Sequence, residues 1–114
     1  METGGIGGMA IATAPAIVRF LGAGKYRDAV NYTTSMYEIT LSEQDQYAMP
    51  DMDFRGSPIG IDILKVVETG IAPIINTAIA CKRPGVGMIG AGISQAPLAM
   101  FEEALCAFGE KHGL

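Results

Sequence analysis

The chain has 114 residues, of which 49% are apolar and 18% charged, with a net charge of −4 and a mean hydropathy of +0.29. Such a length allows one domain at most, with a modest core. Its densest basic stretch is Lys82-Arg83, too little for the phosphate contacts that dominate nucleic acid binding, so no nucleic acid partner is expected.

An apolar fraction this high in so small a chain predicts that a partner buries some apolar face. Cys81 and Cys106 lie in no metal-binding spacing and read as free thiols of a cytoplasmic protein. His112 is the single histidine, which leaves almost nothing for a histidine-based zinc site or a Ser-His triad. Neither a metal nor a cofactor is expected. No apolar run reaches the roughly 18 residues of a spanning helix, so no membrane contact is expected. The apolar start, Ile6 to Val18, lacks a basic leader and contains Pro15, unlike a signal peptide. The chain plunges from Met1 into glycine-rich sequence, as if opened in the middle of a domain.

In chain order, alanine content and Pro15 predict a helix from Gly8 or Ala14 to Leu21, stopped by Gly22 or Gly24. Residues 25–40 place Ala29, Val30, Tyr32, Met36, Tyr37 and Ile39 on an amphipathic helix. Ser42–Gln46 reads as a polar loop, and Asp51 to Gly56 as a short strand or extended loop. Ser57-Pro58 resembles a helix start for an apolar face running through Thr69 and stopped by Gly70. Residues 71–80 and 86–94 read as two strands around the turn signal Lys82-Arg83-Pro84-Gly85, hence a hairpin. Pro97 opens a last helix from Leu98 to about Lys111. The expected fold class is α+β, with helices packed on a small antiparallel sheet that contains the 71–80/86–94 hairpin.

Several residues carry candidate chemistry. The glycines at 4, 5, 7 and 8 could let backbone N–H groups converge on an anion, with Gly5, Gly7 and Gly8 as donors, or could allow a helix to pack closely on a sheet. No Lys-Ser/Thr follows, and the run is no complete GxGxxG. Glu2-Thr3-Gly4 and Glu68-Thr69-Gly70 both place a carboxylate before glycine. Asn76-Thr77 is a polar pair inside an apolar strand, and alternation turns one of the two toward the core or a pocket. Its amide suits either a ligand or a neighbouring loop. Asp51, Asp53, Arg55 and Asp62 suggest an internal ion-pair network more than a metal site, because an arginine stands among the carboxylates. At the hairpin tip, Lys82, Arg83, Gly85 and Gly87 could hold a small anionic substrate or form a solvated turn.

The segments GGMAIATAPAIVRFLG, RGSPIGIDILKVVETGIAPIINTAIA and PGVGMIGAGISQAPLAMFEEAL resemble the C-terminal part of a bacterial and archaeal family, the domain of unknown function numbered eleven-sixteen. That family includes a subunit associated with oxamate carbamoyltransferase in anaerobic allantoin breakdown. The resemblance runs from Glu2 to Phe108. It implies that the chain is part of a larger α/β protein, about four times longer, and that a homo-oligomer or a companion subunit supplies the upstream region. It also implies carbamoyl transfer between carbamoyl phosphate and oxamate, chemistry that needs anion positioning and electrostatic stabilisation but no protein nucleophile. The chain departs from the family pattern at Cys81, where members usually show His, and near Met88, where they show Gln.

Overall fold

A computed structural model describes residues 1–22 and 24–114. Its first long segment is a 3-10 helix, Gly7–Thr13, kinked at Ala10. Pro15 then takes the first position of helix α1, Pro15–Phe20, where its missing N–H costs nothing. Helix α2, Tyr26–Met36, begins where the Lys25 N–H donates to the Asp28 carboxylate at 2.6 Å. It buries Ala29, Thr33 and Met36 on one face. The buried Thr33 hydroxyl accepts the Ala12 N–H at 3.0 Å, stitching α2 to the 3-10 segment.

Strand β1, Thr40–Met49, pairs antiparallel with β2, Arg55–Ile61. This corrects two expectations. Ser42–Gln46 lies within a strand, not a loop; only the two ends of β1 are buried, so no apolar alternation betrays it. Ser57 and Pro58 lie within β2 and start no helix. Pro58 stands opposite Glu43 beside an irregularity in the register, a place where a strand tolerates a residue without an N–H. The helix starts instead at Asp62, whose side chain accepts the Leu64 N–H at 3.0 Å and caps α3, Ile63–Thr69. Gly70, at φ +70°, ends it as expected.

Strands β3, Ile74–Ala80, and β4, Met88–Gln95, form the expected antiparallel hairpin, with one register irregularity between Ile79 and Ala80. Helix α4, Leu98–Lys111, follows directly after Pro97 and packs on α3. The molecule is thus α+β, with two separate two-stranded antiparallel sheets. No described helix is long and apolar enough to cross a membrane.

Two apolar clusters form the core. Met9, Met36, Ile39, Val66 and Ile74 make the larger, and Ile11, Val18 and Ala29 the smaller; Tyr32 and Ile93 touch both. Much apolar surface stays outside. Helix α4 has no buried residue. The outer half of the hairpin exposes Ile79 at 61%, Met88 at 58% and Ile89 at 63%. The accessible surface is 7245 Å², against roughly 6,000 Å² for a compact monomer of this mass. The radius of gyration is 15.7 Å, against about 13 Å for a compact domain of this length.

Gly8 lies where two backbones meet: a Cβ there would stand 1.9 Å from the Ile74 carbonyl oxygen. Replacing Gly8 with alanine is expected to cost about 3 kcal/mol, because neither backbone can retreat from the other. Gly70→Ala meets open space and pays only for the left-handed conformation, about 1 kcal/mol. Urea titrations of the two variants check the contrast; equal losses would show that Gly8 is not a close-approach position.

Candidate functional site

Three of the sequence candidates, Gly7, Gly8 and Asn76, meet at one residue, Glu2, which the motifs did not single out as central. Glu2 is a mostly buried side chain, 15% exposed. One of its oxygens, Oε1, accepts the backbone N–H of Gly8 at 3.1 Å and that of Asn76 at 3.0 Å. The same carboxylate therefore holds the glycine turn and strand β3. Gly7 makes room for it: at φ +70°, a Cβ at this position would stand 2.4 Å from Oε1. The other oxygen, Oε2, lies 3.6 Å from the Met1 amine. Burial alone would raise the Glu2 pKa. The N–H groups of Gly8, Asn76 and Glu2 itself, with the terminal amine, outweigh burial and hold the carboxyl below its ordinary value of 4.5.

Within the glycine turn the Gly8 N–H meets an anion, the chain's own Glu2, whereas the Gly5 N–H donates to the Glu2 carbonyl at 3.0 Å. Gly8 serves close packing and donates to Glu2, so its N–H is engaged. Gly5, at φ +79°, faces Ser57 and Ile59; a Cβ would stand 2.5 Å from the Ser57 hydroxyl oxygen and 2.5 Å from a methyl of Ile59. That buried Ser57 hydroxyl has no hydrogen-bond partner among the described residues.

Asn76 and Thr77 lie side by side in β3 and face opposite ways. Thr77 is exposed and donates to the Gly92 carbonyl at 3.1 Å. Asn76 lines two small adjoining cavities of about 210 and 190 Å³, both also bordered by Met1 and Ile17. At the tip, the Cys81 N–H donates to the Gly87 carbonyl at 2.8 Å and the Arg83 N–H approaches the Cys81 sulfur at 3.4 Å. Lys82 and Arg83 are exposed. Gly85 and Gly87 both have φ +79° with open space around them. Lys82 follows Asn76 by six positions, roughly 20 Å of extended strand, so this chain does not bring the Asn76-Thr77 pair and the tip together.

The ion-pair network of Asp51, Asp53, Arg55 and Asp62 does not form. Arg55 pairs with Glu43 across the β1–β2 ladder at 2.5 Å, and its guanidinium lies 3.6 Å above the Tyr37 ring. Tyr37 donates to the Gly56 carbonyl at 2.5 Å. Burial raises the Tyr37 pKa; the Arg55 charge opposes this and Glu43 adds to it. Asp62 caps α3, Asp51 lies in the 3-10 turn Pro50–Met52, and Asp53 adopts a left-handed conformation at φ 53°. Charge proximity in sequence did not decide the pairing: the register sets Arg55 opposite Met49 and Glu43 opposite Pro58, and the two side chains meet beside the irregularity between Glu43 and Ala48. Among the described residues, no group of three His, Cys, Asp or Glu could hold a metal ion.

A larger cavity, about 640 Å³, lies elsewhere. Leu41, Ile61, Leu64, Leu105, Phe108 and Leu114 line it, an apolar groove between α3 and α4.

Glu2→Gln keeps the shape and removes the charge. At pH 7 it is expected to lower stability by about 1 kcal/mol, the difference between hydrogen bonds to a charged and a neutral acceptor. The Glu2 pKa is depressed in the folded state, so its contribution is complete above the unfolded value of 4.5 and fades as pH falls through the lower folded value. The gap between the two proteins, measured by urea denaturation from pH 7 to pH 3, should close on the acid side.

No family model matches the chain. Over 113 residues, 99% of its length, it is 50% identical to the oxamate carbamoyltransferase subunit AllG of Escherichia coli and covers 27% of that protein. It is also 50% identical over 113 residues to the uncharacterized protein YahG of the same organism, covering 24% of it. A crystal structure of a conserved protein of unknown function from Enterococcus faecalis superposes with a TM-score of 0.80 at 55% identity, over 93% of this chain and 25% of that one. The chain therefore spans about a quarter of the length of relatives that it resembles from end to end, and one of them is named as an oxamate carbamoyltransferase subunit.

Proposed function

We propose that the chain is one portion of an oxamate carbamoyltransferase-type subunit, acting in carbamoyl transfer between carbamoyl phosphate and oxamate. The observation that carries this is the 50% identity across 113 residues to the protein of that name. In the reaction, the oxamate nitrogen attacks the carbamoyl carbon. A C–N bond forms, the C–O bond to phosphate breaks, the nitrogen loses a proton, and oxalurate and phosphate result. Such a step needs the two anions held in place and the developing oxyanion stabilised.

In this reading, Lys82 and Arg83 hold a phosphate or carboxylate at the tip, where Gly85 and Gly87 leave the backbone accessible. Asn76 and Thr77 offer polar groups further down β3, and Gly5, Gly7 and Gly8 act indirectly by seating Glu2 and β3. The distance between these groups supports a site completed by a companion region or subunit, with the chain alone inactive. We place the reaction in the cytoplasm. A second reading, a non-catalytic assembly module, is favoured by the apolar outer half of the hairpin, which projects uncovered.

Oxalurate phosphorolysis tests the first reading. The chain alone should show no turnover. The protein restored to the length of its relatives, with its companion subunits, should be active, and Lys82→Ala with Arg83→Ala should lower its kcat/KM by about tenfold or more, the loss of a charged contact to an anion. No turnover in the restored protein would rule the reading out.

A further inference from the structure

The outer edge of β3 is closed at one end and open at the other. Asn76 sends its N–H away from β4, to Glu2. Alternation along an antiparallel strand therefore sends the N–H groups of Ile74, Ala78 and Ala80 the same way. Beyond the strand's end, the Cys81 N–H turns inward to the Gly87 carbonyl, as this alternation requires. The Ile74 N–H meets the Met36 sulfur at 3.4 Å, and that of Asn76 meets the Glu2 carboxylate at 3.0 Å. Ala78, Ile79 and Ala80 are exposed, and no described residue accepts from the N–H of Ala78 or Ala80.

Charge is divided along the same edge. The Glu2 carboxylate lies at the closed end. Lys82 and Arg83 lie past the open end, and residues 71–97 contain no acidic side chain. Run antiparallel on itself, the edge brings that carboxylate, whose other oxygen lies 3.6 Å from the Met1 amine, beside the two cations of a second copy, the self-complementarity that a two-fold interface demands.

We propose that a second copy of this chain pairs along this edge. Strand β3 runs antiparallel to β3 of the second copy, with Ala78 opposite Ala80 and Ile79 at the two-fold axis. The exposed N–H and carbonyl groups of Ala78 and Ala80 then satisfy one another, and the two hairpins become one continuous sheet. This register places Asn76, with Glu2 on its N–H, opposite Lys82 of the second copy, so that carboxylate and ammonium meet at each end. The ladder stops there because Glu2 already occupies the Asn76 N–H. The apolar face beside this edge is open, with Ile79 61% and Met88 58% exposed, and a standard interface takes about 800 Å² from each partner. The pairing uses Lys82, which the carbamoyl transfer reading also uses, and its test reads dimerisation and not activity.

Sedimentation equilibrium of the chain tests it. A dimer with a Kd on the order of 10 μM is expected. Ala78→Pro removes an outward N–H without touching a bond to β4, and should raise the Kd at least tenfold. Lys82→Glu with Arg83→Glu should do the same, and covers the case in which the proline variant does not fold. Amide exchange should show Ala78 and Ala80 protected in the dimer and open in the double charge variant. A chain that stays monomeric at about 100 μM, leaving the edge to some other strand, would overturn the pairing. So would a dimer whose Kd neither variant changes.

Discussion

One carboxylate oxygen joins the two halves of this chain. Glu2 Oε1 accepts from Gly8 and from Asn76, residues that belong to the glycine turn and to the hairpin and have no shared ladder. Hydrogen bonds to a charged acceptor are among the stronger ones, about 1.5–3 kcal/mol each. Here their geometry matters as much as their strength. The Gly8 backbone can approach the Ile74 carbonyl only if β3 lies at one depth, and Glu2 fixes that depth by bonding the next outward N–H along the strand. The packing of Met9 against Ile74 and Met36 in the larger core cluster follows from the same placement.

The glycines divide by what surrounds them. Gly7 and Gly8 are positions where a side chain would strike the Glu2 carboxylate or the Ile74 carbonyl, whereas Gly70, Gly85 and Gly87 only supply left-handed turns in open space. The cluster that first suggests a ligand loop therefore has two unrelated causes. The glycine turn near the start receives an internal anion. The glycines of the hairpin tip stand in open space beside two cations, and no described acidic side chain pairs with either cation.

The hairpin and the last helix were legible because turn chemistry and Pro97 punctuate them locally. Strand β1 was not: its middle is exposed on both faces, so its sequence TLSEQDQYAM carries no period to read. Ser57-Pro58 looked like a helix start because Ser and Pro serve there often, but Asp62 is the residue whose side chain reaches a free N–H. The Arg55 partner was illegible for a different reason. Register decides it, and register depends on the irregularity between Glu43 and Ala48. Glu2 was visible as a carboxylate before glycine, yet its partner lies 74 residues further on, beyond any local pattern. The similarity to a longer protein was readable from the sequence itself.

That span of 74 residues also sets an order of assembly. The hairpin closes through neighbours in sequence and can form on the microsecond scale once both strands exist. The Glu2 bond must close a far longer loop and pays its entropy late. In a chain made from its N-terminus, Glu2 emerges long before Asn76 does. Until they meet, the Asn76 N–H stands open along with those of Ala78 and Ala80. A slow closure therefore exposes a longer adhesive edge than the finished molecule shows, and the rate at which Glu2 docks sets how long the nascent chain remains prone to aggregation.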